Sequence, residues 1–509
     1  MQGNPTTPVP TLNTALRRDR RGEPVDIDAF LSEPGRSDAT NDVRKLIDKL
    51  DIQYIYVQFV SVTGRVVGKG MPASRWEDLA ARGVQMVYGA VANVATDRRG
   101  RYLGYGPEAS ELIAIPEPET FAQLPWDGRV ARVFARLFRN REEDENPGAA
   151  LSSDCRGNLA QQHAAFADRH DMRLRVGTEP EMMWLRRNAD NELVGVSKPY
   201  CYHVDQLEEL RDISMRVLTY GRALGLDMIQ GDHEDAPGQL ELNFRFDDPL
   251  RNADRLITYR QICRQVAREF GVIACFMTKP FPGLSASGCH HNLSLWRGGD
   301  DETVPMETET TVPGVRHYRT GGVNLLTEDR AAGANPLQLN DIGRRMVGGV
   351  VTHLPALTAL AASTVHSYRR LWDTGFWAPL TAGWGFQNRT SAVRVSAPDR
   401  VEYRTADSMV NPYLMAAGLL AAMDDGLTGN LDPGPPSSAN SYDSTPDPRP
   451  TLPMNLGAAL TALDRDEVLR AALPGDMYRV YTAHKRDEWE RFLATTSEWD
   501  FDFYLDYVS

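Results

Sequence analysis

Four strand-like segments of this 509-residue chain set ionisable side chains on alternate residues of apolar runs. They are GTEPEMMW with Glu179 and Glu181, QLELNF with Glu241, CHHNLSLW with His290, and RVEYR with Glu402. Residues two apart in a strand share a face, so each segment turns its acid or imidazole to one side of a sheet. Pro180, between the first two glutamates, calls for a strand edge or start because proline cannot donate to a ladder. Leu240, Leu242 and Phe244 oppose Glu241 and Asn243, and Glu234 precedes them on a Pro-Gly turn. His290, Asn292 and Ser294 share a face, as do Arg400, Glu402 and Arg404. One such pair is an ordinary solvated surface feature. Five glutamates and one histidine converging together form an oxygen-rich set that suits Mg²⁺ or Mn²⁺ better than zinc. Arg370, Arg389, Arg394 and Arg404 add forked donors suited to phosphates and carboxylates. The combination describes metal-assisted phosphoryl transfer.

Length and composition set the frame for this chemistry. A chain of 509 residues is too long for one ordinary core, which favours a large catalytic domain plus a smaller one. The net charge of -13 disfavours nucleic acid or an anionic membrane as partner. Five widely spaced cysteines and the lack of a signal-like or membrane-length apolar run fit a cytoplasmic protein. Residues 1–40, rich in Pro, Thr, Arg and Asp, read as a flexible extension, or an arm lying on a neighbouring subunit. Residues 41–147 read as a small α+β domain, ending in the linker-like RNREEDENPGAA, and 148–509 as the large domain. In the latter, strand-like runs alternating with long helical patterns imply a mostly antiparallel sheet backed by helices.

These motifs also occur in a telling order: EPE (179–181), HE-DAPGQLE (233–241), KPFPGLSASGCHHNLSL (279–295), STVHSYRRL (363–371), NRTSAVRV (388–395), RVEYR (400–404) and NPYL (411–414). On them the chain resembles the glutamine synthetase family from about residue 42 onward. The resemblance implies an α+β fold with a small β-grasp-like N-terminal domain and a catalytic domain on a curved, mostly antiparallel sheet. It implies one metal ion at Glu181, Glu234 and Glu241 and another at Glu179, His290 and Glu402. It further implies that Arg370, Arg389 and Arg404 hold glutamate and the transferring phosphate, with Ser285, Ala286 and Glu181 also at the amino-acid site. Arg394, Asn292, Ser294 and Phe246 would border ATP. The implied partners are small molecules and copies of the chain itself in two stacked hexameric rings, each active site lying between neighbouring subunits. The implied reaction phosphorylates the glutamate γ-carboxylate with ATP, after which a nitrogen nucleophile displaces phosphate.

Departures from the family pattern bear on that nucleophile. Ammonia-using members carry a glutamate before an Ala-Pro in a flap, where this chain has Trp377 before Ala378-Pro379. A second family carboxylate, an aspartate from the neighbouring subunit, aligns with Ser61 in FVSVTGR. Without them an ammonium ion loses its site and its proton acceptor. The uncharged stretch GFWAPLTAGWGFQ (375–387) then reads as a pocket for a neutral, apolar amine, an arylamine such as aniline above an alkylamine, and resembles the anilide-forming glutamate–amine ligases; its plain alternative is core packing. Ammonia remains the third acceptor, and an inactive scaffold is disfavoured by the intact ligand positions. Asn292 replaces the second histidine of an HxH, Ser285-Ala286 replaces an Asn-Gly, and Asp373 stands in the longer flap as a displaced carboxylate. His233, His291, His353 and His366 read as hydrogen-bonded structural histidines. Tyr442 falls where some bacterial relatives are adenylylated, which a tyrosine in a loop does not establish here.

Overall fold

The computed structural model describes residues 26–299, 302–304, 317–319, 321–328, 335, 337–372, 377–443 and 449–507. Asp373 and the first part of the 375–387 stretch lie outside them. The first sheet has six strands: β1 (Tyr54–Val60), β2 (Val66–Pro72), β3 (Val84–Val87), β4 (Glu111–Pro116), β5 (Ala122–Leu124) and β6 (Asp127–Phe138). Their order is β2-β1-β6-β4-β3 with β5 against β6, and only the β1–β6 pair among them is parallel.

Residues 27–31 and 36–50 are helical, although 26–40 read from composition as part of a flexible extension. Ile27 and Phe30 are buried against Ile113, Ile115 and Phe138, and the Arg36 guanidinium donates to the Ala80 and Pro116 carbonyls. Ala39, Val43, Leu46 and Ile47 recur on one helical face, and burying that stripe outweighs the charged residues between them.

The second sheet has ten strands: β7 (Arg173–Arg187), β8 (Leu193–Gly195), β9 (Met228–His233), β10 (Gln239–Phe244), β11 (Ile273–Cys275), β12 (Cys289–Arg297), then, beyond the separate hairpin β13 (Glu302–Val304) and β14 (His317–Arg319), β15 (Val323–Asn324), β16 (Thr381–Phe386), β17 (Ser391–Ala397) and β18 (Arg400–Tyr403). Its path is β16-β17-β18-β12-β7-β10-β9, antiparallel except for β16 with β17. Helices Pro249–Phe270 and Asp341–Ala361 cover it with buried apolar side chains, and Pro412–Gly429 packs on those two helices. Pro180 sits inside β7, not at its end. The Glu181 N–H donates toward β12, so by alternation the proline nitrogen faces the other side, just past the last β10 pair at Glu241–Glu181. The strand is locally an edge there, and no ladder bond is lost.

The two sheets are fastened by buried ion pairs. Glu117 meets Arg136 at 2.6 Å and Arg156 at 2.6 Å, and Arg156 meets Asp254 at 2.8 Å. The Tyr413 hydroxyl donates to Asp254 at 2.6 Å. Among the described residues, no helix is long and apolar enough to cross a membrane.

Candidate active site

Strand register brings the ligand candidates together. Glu241 pairs with Glu181 across β10 and β7, Glu179 with His290 across β7 and β12, and Glu402 with Asn292 and Arg394 on either side of β18. Directly opposed residues share a face, with Cβ atoms about 5 Å apart. Ligand atoms of Glu179, His290 and Glu402 accordingly lie within 4.8 Å of one another. His290 Nδ1 is 3.3 Å from Glu179, 3.6 Å from Glu402 and 3.9 Å from Glu181. Glu234 follows β9, and its backbone N–H donates to the Gln239 carbonyl, which sets it beside the start of β10.

The electrostatics divide this set in two. Burial, then mutual repulsion, pushes Glu241 well above the carboxylate range and Glu234 up to about 8. Glu181 is also raised, chiefly by burial, although it accepts the Gly288 N–H at 2.8 Å and the Gln239 amide at 2.9 Å. Burial also pushes Glu402 upward, but the Arg404 and Arg394 guanidinium groups outweigh it and hold that carboxyl below its usual range. Burial, with Arg404 next, holds the His290 imidazole far below its ordinary value, so it is neutral, as a metal ligand must be. Clustered carboxylates whose charged forms disfavour one another, with one neutral imidazole, fit hard divalent cations.

Asn292 donates to Glu179 at 2.8 Å and accepts from Arg400 at 3.1 Å, which ties it to a ligand candidate. Arg394 binds Glu402 at 2.8 Å and Gln387 at 3.0 Å. Arg404 bridges Glu402 at 2.5 Å, the Arg389 carbonyl at 3.1 Å and the Trp377 carbonyl at 3.2 Å. Arg370 is buried, donating to the Arg404 and Thr405 carbonyls and to His290 Nε2 at 3.3 Å. The exposed Arg389 guanidinium makes no hydrogen bond among the described residues. Ser285 donates to Asp235 at 2.6 Å, and the Ala286 carbonyl accepts weakly from Gln239. Phe246 stacks on Trp296 with centroids 5.9 Å apart, and the Trp296 indole donates to Ser294 at 2.9 Å, giving a flat aromatic surface beside that hydroxyl.

The aromatic stretch is not one loop. Trp384 is a core residue of β16, whereas Trp377 is 56% exposed with a φ of 62°. Ser61 is not brought to the site. It has no exposed surface, its hydroxyl accepts the Arg65 N–H inside the β1–β2 turn, and its carbonyl accepts from Asn411 of its own chain, so it offers a neighbouring subunit nothing to touch. His233, His291, His353 and His366 are each hydrogen-bonded within the fold.

Several residues at the site escaped the sequence reading. Gln239 and Asn243 alternate with Glu241 on β10 and orient carboxylates, a signal that the strand periodicity already carried. Tyr202 follows no periodicity; its N–H donates to the His233 carbonyl, and burial together with Glu234 raises its phenol. Tyr442 reaches the Ala378 carbonyl at 2.6 Å.

The family model "Glutamine synthetase, catalytic domain" matches residues 152–337 and 318–504. A glutamine synthetase of Rhizobium leguminosarum bv. phaseoli is 31% identical over 89% of this chain and 97% of its own length. One from Pyrococcus furiosus is 30% identical over 88% and 92%. Among solved structures, "GmaS/ADP complex-Conformation 1" is similar with a TM-score of 0.76 and 30% identity, covering 91% of this chain and 99% of that one.

Proposed function

The chain belongs to the glutamine synthetase family and is an ATP-dependent glutamate–amine ligase; from that premise we propose that its acceptor is a neutral amine with apolar bulk, an arylamine such as aniline fitting best. One observation carries this reading. The loop gripped by Arg404 presents the exposed Trp377 indole, and from Trp377 to Asn388 the chain has no ionisable side chain. An arylamine reaches the site unprotonated, so it needs neither a cation site nor a base before it attacks. A second reading, a short alkylamine, is favoured by the structural neighbours, since GmaS is a γ-glutamylmethylamide synthetase.

In this reading Arg389 and Arg404 neutralise the phosphoryl group passing from ATP to the glutamate γ-carboxylate, and Arg370 with Ser285 and Ala286 orients the amino acid. Phe246, Ser294, Asn292 and Arg394 border the nucleotide. Two or more Mg²⁺ or Mn²⁺ ions would add positive charge at the phosphates, one held by Glu181, Glu234 and Glu241 and another by Glu179, His290 and Glu402. The amine nitrogen then attacks the γ-carbonyl, phosphate departs, and the strongly acidic arylammonium formed on attack gives its proton to water.

We assign the reaction to the cytoplasm and the enzyme to a ring assembly of two stacked hexamers. The aromatic C-terminal tail supports an assembly, since Trp499, Phe501, Phe503, Leu505 and Tyr507 are all more than half exposed in the single chain. The functional test is amide formation and phosphate release with ATP, Mg²⁺ and glutamate against ammonia, methylamine, isopropylamine, putrescine and aniline. Highest kcat/KM for aniline is expected. Highest kcat/KM for methylamine selects the second reading, and for ammonia it contradicts both.

A further inference from the structure

Two successive carbonyls of the acceptor-side loop are gripped by side chains distant in sequence. Arg404 donates to the Trp377 carbonyl at 3.2 Å, and the Tyr442 hydroxyl donates to the Ala378 carbonyl at 2.6 Å. Trp377 is in the left-handed region at φ 62°, a conformation that a residue with a Cβ holds only where its surroundings enforce it. The segment carrying Tyr442 is itself anchored. Asn388 donates to the Ala439 carbonyl at 2.9 Å, and Thr390 exchanges hydrogen bonds of 3.1 Å with Ser441. These two residues flank Arg389. Tyr442 therefore joins the turn that carries Arg389 to the loop that carries Trp377.

We propose that Tyr442 is a positioning residue for the amine pocket: its hydroxyl fixes the 377–379 backbone over the site, setting the fit of the acceptor and keeping water from the acyl phosphate. The proposal rests on the ligase reading above. Burial pushes the Tyr442 phenol up to about 12, against the pull of Arg370 and Arg404, so the hydroxyl keeps its proton and stays a donor at working pH. An unclamped loop would admit water, which attacks the γ-glutamyl phosphate and returns glutamate and phosphate without amide.

The test is Tyr442→Phe in the full-length enzyme, which removes one hydroxyl and keeps the ring. The expected result is an amine KM raised about tenfold, the order of one lost hydrogen bond, with the ATP and glutamate KM values within about twofold of wild type. More phosphate should be released per amide formed. Hydrogen exchange of peptides covering 377–382 should be faster in the variant without any substrate present. Equal changes in all three KM values, or unchanged amine KM and coupling, would overturn the proposal. If the wild type forms no amide with any amine, the ligase reading fails by itself, and unchanged exchange at 377–382 would then overturn the clamp separately.

Discussion

Two groups of buried and partly buried carboxylates in this molecule meet opposite fates. Glu117 and Asp254, at the junction of the two sheets, are matched by Arg136 and Arg156 at 2.6–2.8 Å, and Arg156 is held well above its ordinary value by Asp254 and Glu117 despite its burial. Glu181, Glu234 and Glu241 are pushed upward by burial and by neighbouring carboxylates. The junction spends its charge on cohesion. The second group carries repulsion that lowers the stability of the chain alone and is relieved when positive charge enters. Buried carboxylates as such are uninformative; among the described residues Glu181, Glu234 and Glu241 meet no guanidinium in an ion pair, whereas Glu402 combines two guanidinium partners with its place in the site.

The contrast is sharpest where a residue is removed. Glu181→Ala should cut amine-dependent phosphate release by on the order of a thousandfold or more while leaving the unfolding midpoint unchanged or higher. Glu402→Ala should lose as much activity but also some stability, because Arg394 and Arg404 lose their acceptor. Kinetics and denaturant melts on the two variants check this, and near-normal turnover in either would remove that residue from the reaction.

At the junction the effect should reverse. Arg156→Met leaves Glu117 and Asp254 buried without their shared partner, which costs about 3–5 kcal/mol in urea unfolding. The kcat/KM of the fraction still folded should change little. A drop in kcat without loss of stability would show that the junction acts in catalysis.

Much of this was legible because a strand repeats every two residues. That period alone put Glu179 and Glu181 on one face, and His290 and Asn292 on another that register then laid beside it. The loops were not legible in this way. Tyr442 lies in a Pro/Ser/Asp-rich segment with no period, and only the fold shows that it touches Ala378. Ser61 aligned with a family site position, yet its turn packs inward on Asn411, which a pattern of residue types does not encode. The two tryptophans of one uncharged stretch looked alike, but Trp384 entered a central strand while Trp377 stayed on the surface.

Trp377 gives a smaller test. Trp377→Ala should raise the KM for aniline about tenfold, equivalent to about 1.4 kcal/mol, a modest value for an indole already half exposed. The KM for ammonia should barely move; equal shifts for both amines would make the indole a packing residue.

The smallest expected effect concerns a third carboxylate arrangement, His353 between Asp466 at 2.6 Å and Asp425 at 3.1 Å. Burial pushes this imidazole down, but the two aspartates outweigh it and raise it above its ordinary value, while Asp466 is lowered. The histidine contribution is full below the ordinary imidazole pKa and is lost as pH rises through the raised value. The aspartate contribution is present above the ordinary carboxylate range and is lost as pH falls through the lowered value. Stability from the pair therefore peaks between them, by less than about 1 kcal/mol given solvent screening, and His353→Asn should flatten that part of the melting profile.

The central claim is that Glu181, Glu234 and Glu241, unlike the carboxylates of the junction, are arranged for cations and not for cohesion. It is tested most directly by following the thermal unfolding midpoint against Mg²⁺ concentration in wild type and in the triple variant Glu181→Gln, Glu234→Gln, Glu241→Gln. Mg²⁺ should raise the wild-type midpoint in a saturable way; the variant should start higher without Mg²⁺ and respond weakly or not at all. A variant that starts lower, or that responds to Mg²⁺ as strongly as wild type, would contradict the account.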